Sequence, residues 1–183
     1  MPAAKRISKE AIIDAAEAVL RTGGFEAINA RSVAKALGCS TQPIYLTFRN
    51  MEELKSALTQ RAIEQHTRRV RASLRAHEGC DSRYSSYGMG FVQFAAQEKQ
   101  LFRWLYLEDN QPGRHQEDVL EPEIIRTVMD EFGYDEVTAR AFHRDMTYYS
   151  YGLAILANTG HLALTETELR EAFRREFRAL AAY

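Results

Sequence analysis

Proline is scarce, with four in 183 residues, and few stretches alternate Val, Ile or Thr with polar residues. Both features argue against sheets and for an all-helical chain. No apolar stretch reaches membrane-spanning length, and the longest candidates, such as residues 152–157, fall far short. The opening Met-Pro-Ala-Ala-Lys-Arg has no apolar core behind it and is not expected to act as a signal peptide. Cys39 and Cys80 lack CxxC spacing and read as reduced thiols, which sets the expectation of a cytoplasmic protein. Gly88-Met89-Gly90 lacks the rest of a phosphate-binding loop and lies in a helical segment. His66, His77, His115, His143 and His161 are scattered, without HExxH or metal-ligand spacing, and His115 beside Glu117 reads as solvated loop. No pair of carboxylates stands apart from the solvent-patterned background. The expectation is a chain with no catalytic residue, no metal and no cofactor.

Charge is present but unevenly divided. Residues 1–75 carry 13 Lys or Arg against 7 Asp or Glu, whereas residues 76–183 carry 11 against 18. A basic first part suits a phosphate backbone, and an acidic remainder would be repelled from one.

The most informative stretch is 29–54, NARSVAKALGCSTQPIYLTFRNMEEL. Asn29 is a good N-cap, and Val33, Ala36 and Leu37 follow at helical spacing. Gly38 can adopt the left-handed conformation that ends a helix. Ser40 is expected to cap the next helix, with Pro43 in its first turn and Ile44 and Phe48 pointing inward four residues apart. Asn50 and Glu53 read as a capping box opening a further helix. The pattern is a helix-turn-helix whose second helix is placed to enter the major groove.

Val33-Ala34, Gly38, Ile44-Tyr45-x-x-Phe48 and Glu52-Glu53-Leu54 resemble the signature of the TetR/AcrR family of bacterial transcriptional regulators, from residue 8 to about 58. Thr47 and Met51 depart from it, standing where the family often has a larger aromatic or His and a Lys. The resemblance implies roles residue by residue. Arg31 and Ser32 would lie near one strand's phosphates. Thr41 and Gln42 would open the reading helix, with Gln42 able to contact adenine in bidentate fashion. Tyr45 and Thr47 would suit phosphates, and Arg49 and Lys55 would neutralise the flanking backbone.

Around this segment the chain reads as two domains: 1–55 as the DNA-binding head, with a connector helix to about 75, and 76–183 as a larger helical domain. Lys5 and Arg6 lie in a tail available to a groove or phosphate. Ser8 caps a first helix with an inner stripe of Ile12, Ala15, Ala16, Val19 and Leu20, ended by Gly23-Gly24, after which Phe25 folds back. The connector has an inner face at Leu54, Ala57, Leu58 and Ile63, then turns polar and arginine-rich before a break at 76–79. A polar loop is expected at 108–116, with helices at about 120–132, 135–158 and 166–181.

In the second domain Tyr87, Phe91, Phe94, Trp104, Met146 and Tyr149 admit two readings: a hydrophobic core, or the wall of a small-molecule cavity. The resemblance favours a bound effector there. Ser150, Gly152, Ala154 and Ala157, with Leu169, Phe173, Phe177 and Leu180 behind them, suit a close helix pair. The resemblance implies a homodimer through these two C-terminal helices, matched to a palindromic double-stranded operator. The expected function is a DNA-binding regulator, most simply a repressor released by an apolar or aromatic ligand. The alternative is a DNA-bound adaptor that recruits a protein partner instead.

Overall fold

The computed structural model describes residues 7–76, 82–108 and 114–181. Lys5, Arg6, His77, Gly79, Cys80 and Pro112-Gly113 lie outside the described residues, as do the side chains of His115 and Glu117. Every described element is helical: α1 (Lys9–Gly23), a single 3-10 turn (Phe25–Ala27), α2 (Ala30–Leu37), α3 (Gln42–Thr47), α4 (Met51–Ala76), α5 (Arg83–Gln97), α6 (Lys99–Phe102), α7 (Arg114–Phe132), α8 (Glu136–Thr159) and α9 (Glu166–Ala181). One expected boundary moves. The connector ends where anticipated, but α7 begins at Arg114, so the last residues of the expected loop are helical.

Helix α1 is fixed at both ends by local chemistry. The Ser8 hydroxyl accepts from the Ala11 N–H, and Gly24 closes the far end through an N–H to Leu20 O at 2.8 Å. Ile12, Ala16 and Leu20 are fully buried, so the stripe lies against α2 and α4 as its spacing predicts.

Helix α4 is 26 residues long, about 39 Å at the rise of an α-helix, and runs from the head into the body of the molecule. Its buried side does not stop at Ile63. Leu58, Ala62, His66, Val70 and Leu74 recur every four residues and are all buried. Of the arginines that make this half look polar, Arg68, Arg71 and Arg75 occupy the exposed side, while Arg69 is exposed at the edge of the buried stripe, next to Phe94. Buried residues form one continuous cluster from Ile12 to Phe173, because α4 carries the core from head to body.

The body is built on α5, which packs on α4, α7, α8 and α9. Beyond α6 the chain widens into a π-type turn (Arg103–Leu107), closed by the Glu108 N–H on Arg103 O at 3.1 Å. That turn drives Trp104, Leu105 and Tyr106 inward. Asn158, 1% exposed, ties α8 to the end of α5 by donating to Ala95 O and Lys99 O at 2.9 and 3.0 Å.

Gly88 marks the closest approach of α5 to α9. A Cβ there would lie 2.5 Å from Cε1 of Phe173, whose ring is 1% exposed and has nowhere to retreat. Gly88→Ala is therefore expected to destabilise the fold by about 1–3 kcal/mol through overpacking. Urea unfolding of the variant beside the parent chain measures it.

Candidate nucleic-acid interface

Asn29 takes extended dihedrals and its side-chain oxygen accepts from the N–H groups of Arg31 and Ser32 at 3.1 and 3.0 Å. The Ser32 hydroxyl returns to the Asn29 N–H at 3.1 Å, completing a reciprocal cap. Ala30, Val33 and Ala34 are buried and Leu37 is half-buried, while Ala36 is exposed; the inner stripe of α2 thus keeps Val33 and Leu37 but takes Ala30 and Ala34 in place of Ala36. Gly38 sits at φ 66°, ψ 33°, where a side chain would be strained, and turns the chain from α2 into α3.

The start of α3 differs from expectation. Ser40 does not cap it. Thr41 already has helical dihedrals (φ −74°, ψ −12°), makes no side-chain cap, and offers its carbonyl to the N–H groups of Ile44 and Tyr45. Gln42 and Pro43 form the first turn, where a missing proline N–H leaves no bond unmade. Ile44 and Phe48, each 1% exposed, pin this six-residue helix from behind.

The opposite side of α3 faces outward. Gln42 and Arg49 are exposed, Tyr45 is 54% exposed and Leu46 is 79% exposed. Leu46 is absent from the sequence-predicted set. Its signal is that it lies out of phase with Ile44 and Phe48, so an apolar residue stands on the solvent side. Arg31 is exposed beside this face on α2, whereas Ser32, Thr41 and Thr47 are half-buried. Thr47 donates to Pro43 O at 3.0 Å, and Ser32 is engaged in its cap.

Electrostatics leave Arg49 available. Its guanidinium meets Glu53 at 3.2 Å, but its side chain is 88% exposed, so this surface pair restrains it little. Glu53 completes the start of α4 by donating its N–H to Asn50 Oδ1 at 2.9 Å. Its carboxylate returns to the Arg49 N–H, one residue earlier than a regular capping box, and that bond, reinforced by the guanidinium, holds it below the usual carboxylate range.

Lys55 is placed differently from the other predicted residues. Its ammonium lies 4.4 Å above the Phe25 ring and 3.6 Å from the Glu52 carboxylate, with the side chain 22% exposed. Phe25 in turn stacks edge-on against Trp104, ring centres 4.0 Å apart. Lys55, Phe25 and Trp104 form a junction between head and body.

The six aromatic and Met positions expected around one cavity do not share one. Tyr87, Phe91 and Met146 border a space of only about 10 Å³ between α5, α8 and α9, room for a single water. Tyr87, Phe91 and Phe94 also line a half-open cleft of about 310 Å³ between α4 and α5. Trp104 belongs to the head–body junction, and Tyr149 packs on Phe173 at 5.8 Å.

The cleft contains a residue that the sequence reading passed over. His66 is buried between Phe94, Tyr106 and Phe91, and its Nδ1 has no hydrogen-bond partner. Burial, and secondarily the neighbouring Arg69 charge, lowers its pKa to about 4, so the ring is neutral. The sequence signal was its place in the four-residue repeat of α4.

The small residues of α8 also divide. Ser150 and Ala154 are buried within the chain, and Leu169 and Phe173 of α9 likewise face its own core, so these do not form an outer surface. The outward stripe is Tyr148, Gly152, Ile155 and Leu156, with Tyr148 68% exposed. Among the described residues no group of His, Cys, Asp and Glu is arranged to hold a metal, and no helix is long and apolar enough to cross a membrane.

A capped helix-turn-helix carried on an all-helical body defines the class of DNA-binding transcriptional regulators. Residues 12–58 match the profile of the bacterial regulatory proteins, tetR family. The whole fold resembles a protein of unknown function from Rhodococcus sp. RHA1 (TM-score 0.71, 17% identity, covering 98% of this chain and 96% of that one). It also resembles the fatty acid degradation regulator FadR from Bacillus halodurans (TM-score 0.58, 18% identity, 94% and 93% covered). No curated protein sequence matches the chain.

Proposed function

We propose that the chain is a homodimeric repressor that sets two α3 helices into successive major grooves of a palindromic operator and leaves it when a small molecule binds the body. One observation carries this reading: Gln42, Tyr45, Leu46 and Arg49 all face outward on a helix immobilised from behind by Ile44 and Phe48. Gln42, at the first turn, suits adenine; Thr41 beside it suits a phosphate, and Leu46 suits a thymine methyl. Arg31, Ser32, Tyr45, Thr47 and Arg49 are assigned to phosphates. Lys55 would have to leave Phe25 and Glu52 to join them and is assigned to the junction. The head is taken as residues 1–55 with α4 as connector, and the body as 76–183.

The Tyr148–Leu156 stripe of α8 is the proposed contact with a second copy, since a two-fold dimer matches a palindrome. An adaptor would use the same stripe for a different protein, and the mass in solution separates the two. A ligand acts here only through unequal affinity for the bound and released states of the dimer.

The test is a binding series across salt concentrations. Arg49→Ala and Tyr45→Ala are expected to weaken all DNA alike, and loss of the Arg49 charge to reduce the salt slope by about 1. Gln42→Ala is expected to relax preference at one base pair by about 1–3 kcal/mol. Unchanged affinity and preference in all three would remove α3 as the reading helix.

A further inference from the structure

The cleft between α4 and α5 has a recognisable chemistry. Phe91 and Phe94 supply a flat apolar wall, and the volume of about 310 Å³ is at the small end of ligand sites. At its base His66 is buried with Nδ1 unpartnered, an uncommon condition for a polar atom inside a protein. At its rim the Arg69 guanidinium lies 5.9 Å from the centre of the Phe94 ring. His66 and Arg69 are three residues apart on one helix, so their side chains lie on adjoining parts of one face, about 5–6 Å apart at Cβ.

Arg69 is also the loosely held member of a charge chain that reaches the head. It lies 3.5 Å from the Glu98 carboxylate, while Arg21 of α1 holds the same oxygen at 2.8 Å. Glu98 is thus a carboxylate shared between the rim of the cleft and the first helix of the DNA-binding head. A second carboxylate arriving at Arg69 would compete with Glu98 directly.

We propose that this cleft binds a small hydroxylated aromatic carboxylic acid. Its ring lies along Phe91 and Phe94, its carboxylate pairs with Arg69, and its hydroxyl meets His66 Nδ1. Binding draws Arg69 from Glu98, leaves that carboxylate to Arg21 alone, and so uncouples α4 from the ion pair that holds α1. This relay to the head rests on the regulator reading; the binding itself does not.

Calorimetric titration of the full chain with 6-hydroxy-2-naphthoate, 2-naphthoate and 6-hydroxy-2-naphthamide tests it. The hydroxy acid is expected to bind once per chain, and the amide to bind at least about tenfold more weakly because it lacks the charge that Arg69 recognises. Arg69→Gln, at an exposed position that leaves the core intact, is expected to abolish the preference for acid over amide. His66→Leu is expected to abolish the preference for the hydroxylated acid over 2-naphthoate, with circular dichroism confirming its fold. No binding of either acid up to about 1 mM, equal binding of acid and amide, or an unchanged acid preference in Arg69→Gln would overturn the proposal. DNA selection by the ligand-free protein, run separately, tells failure of this site from failure of the regulator reading.

Discussion

Phe48→Ala is expected to lower the unfolding free energy by about 3–5 kcal/mol and to abolish DNA binding wherever the head has melted. Phe48 is 1% exposed, its N–H closes α3 on Ile44 O at 2.8 Å, and the Lys9 ammonium lies 5.4 Å from its ring centre. Removing the ring empties a site at the back of a helix of six residues, too short to persist without tertiary support. Leu46→Ala is the matched control. Leu46 is 79% exposed, so its loss is expected to change stability by no more than about 0.5 kcal/mol while still weakening DNA binding. Thermal melting and mobility shift of both variants make the comparison. If Phe48→Ala melted and bound DNA like the parent, α3 would have to be held by something other than Ile44 and Phe48.

Acid is expected to remove a still larger share of stability. His66 is buried and His143 half-buried, and loss of solvation lowers each pKa to about 4 from an ordinary 6.5. The His143 Nδ1 lies 2.7 Å from the Tyr84 hydroxyl, whose own pKa burial raises, so the pair is neutral in the fold. The folded chain therefore binds fewer protons than the unfolded chain below pH 6.5. The contribution of the two rings is complete above that pH, declines as pH falls, and is exhausted near pH 4. Each ring represents about 3 kcal/mol over this interval. Glu53, Asp135 and Glu168, held low chiefly by backbone N–H groups, lose their contributions at lower pH and do not mask the effect. Denaturant unfolding at pH 7, 5.5 and 4.5 measures the decline, and His66→Phe is expected to remove about half of it. A flat profile, or one unaltered by His66→Phe, would contradict the burial assigned to these rings.

What the sequence reveals here follows the range of the interactions. Caps are local, so Ser8, Asn29 and Gly38 announce the ends of α1 and α2 without reference to the rest of the chain. Local signals also compete: Ser40 and Thr41 are both capping types, and only the dihedrals of Thr41 place the start of α3 at Gln42. Residue type concealed the second half of the α4 stripe, because His66 is a polar residue in an apolar position. Contacts distant along the chain were illegible. Nothing near Phe25 points to Trp104, and that stack draws Lys55 toward the junction. Periodicity names the faces of a helix but not its neighbours. For that reason Ser150 and Ala154 were read as an outer surface when they face the chain's own core.

The central claim is that α3 reads DNA as one of a pair. Selection of bound sequences from a random DNA pool at fixed moderate salt, with the mass of the complex in solution, tests it most directly. An enriched palindrome bound by a dimer is expected, with half-sites about 10 base pairs apart or a multiple of that spacing. A monomer enriching no sequence, with only weak salt-sensitive binding, would contradict it.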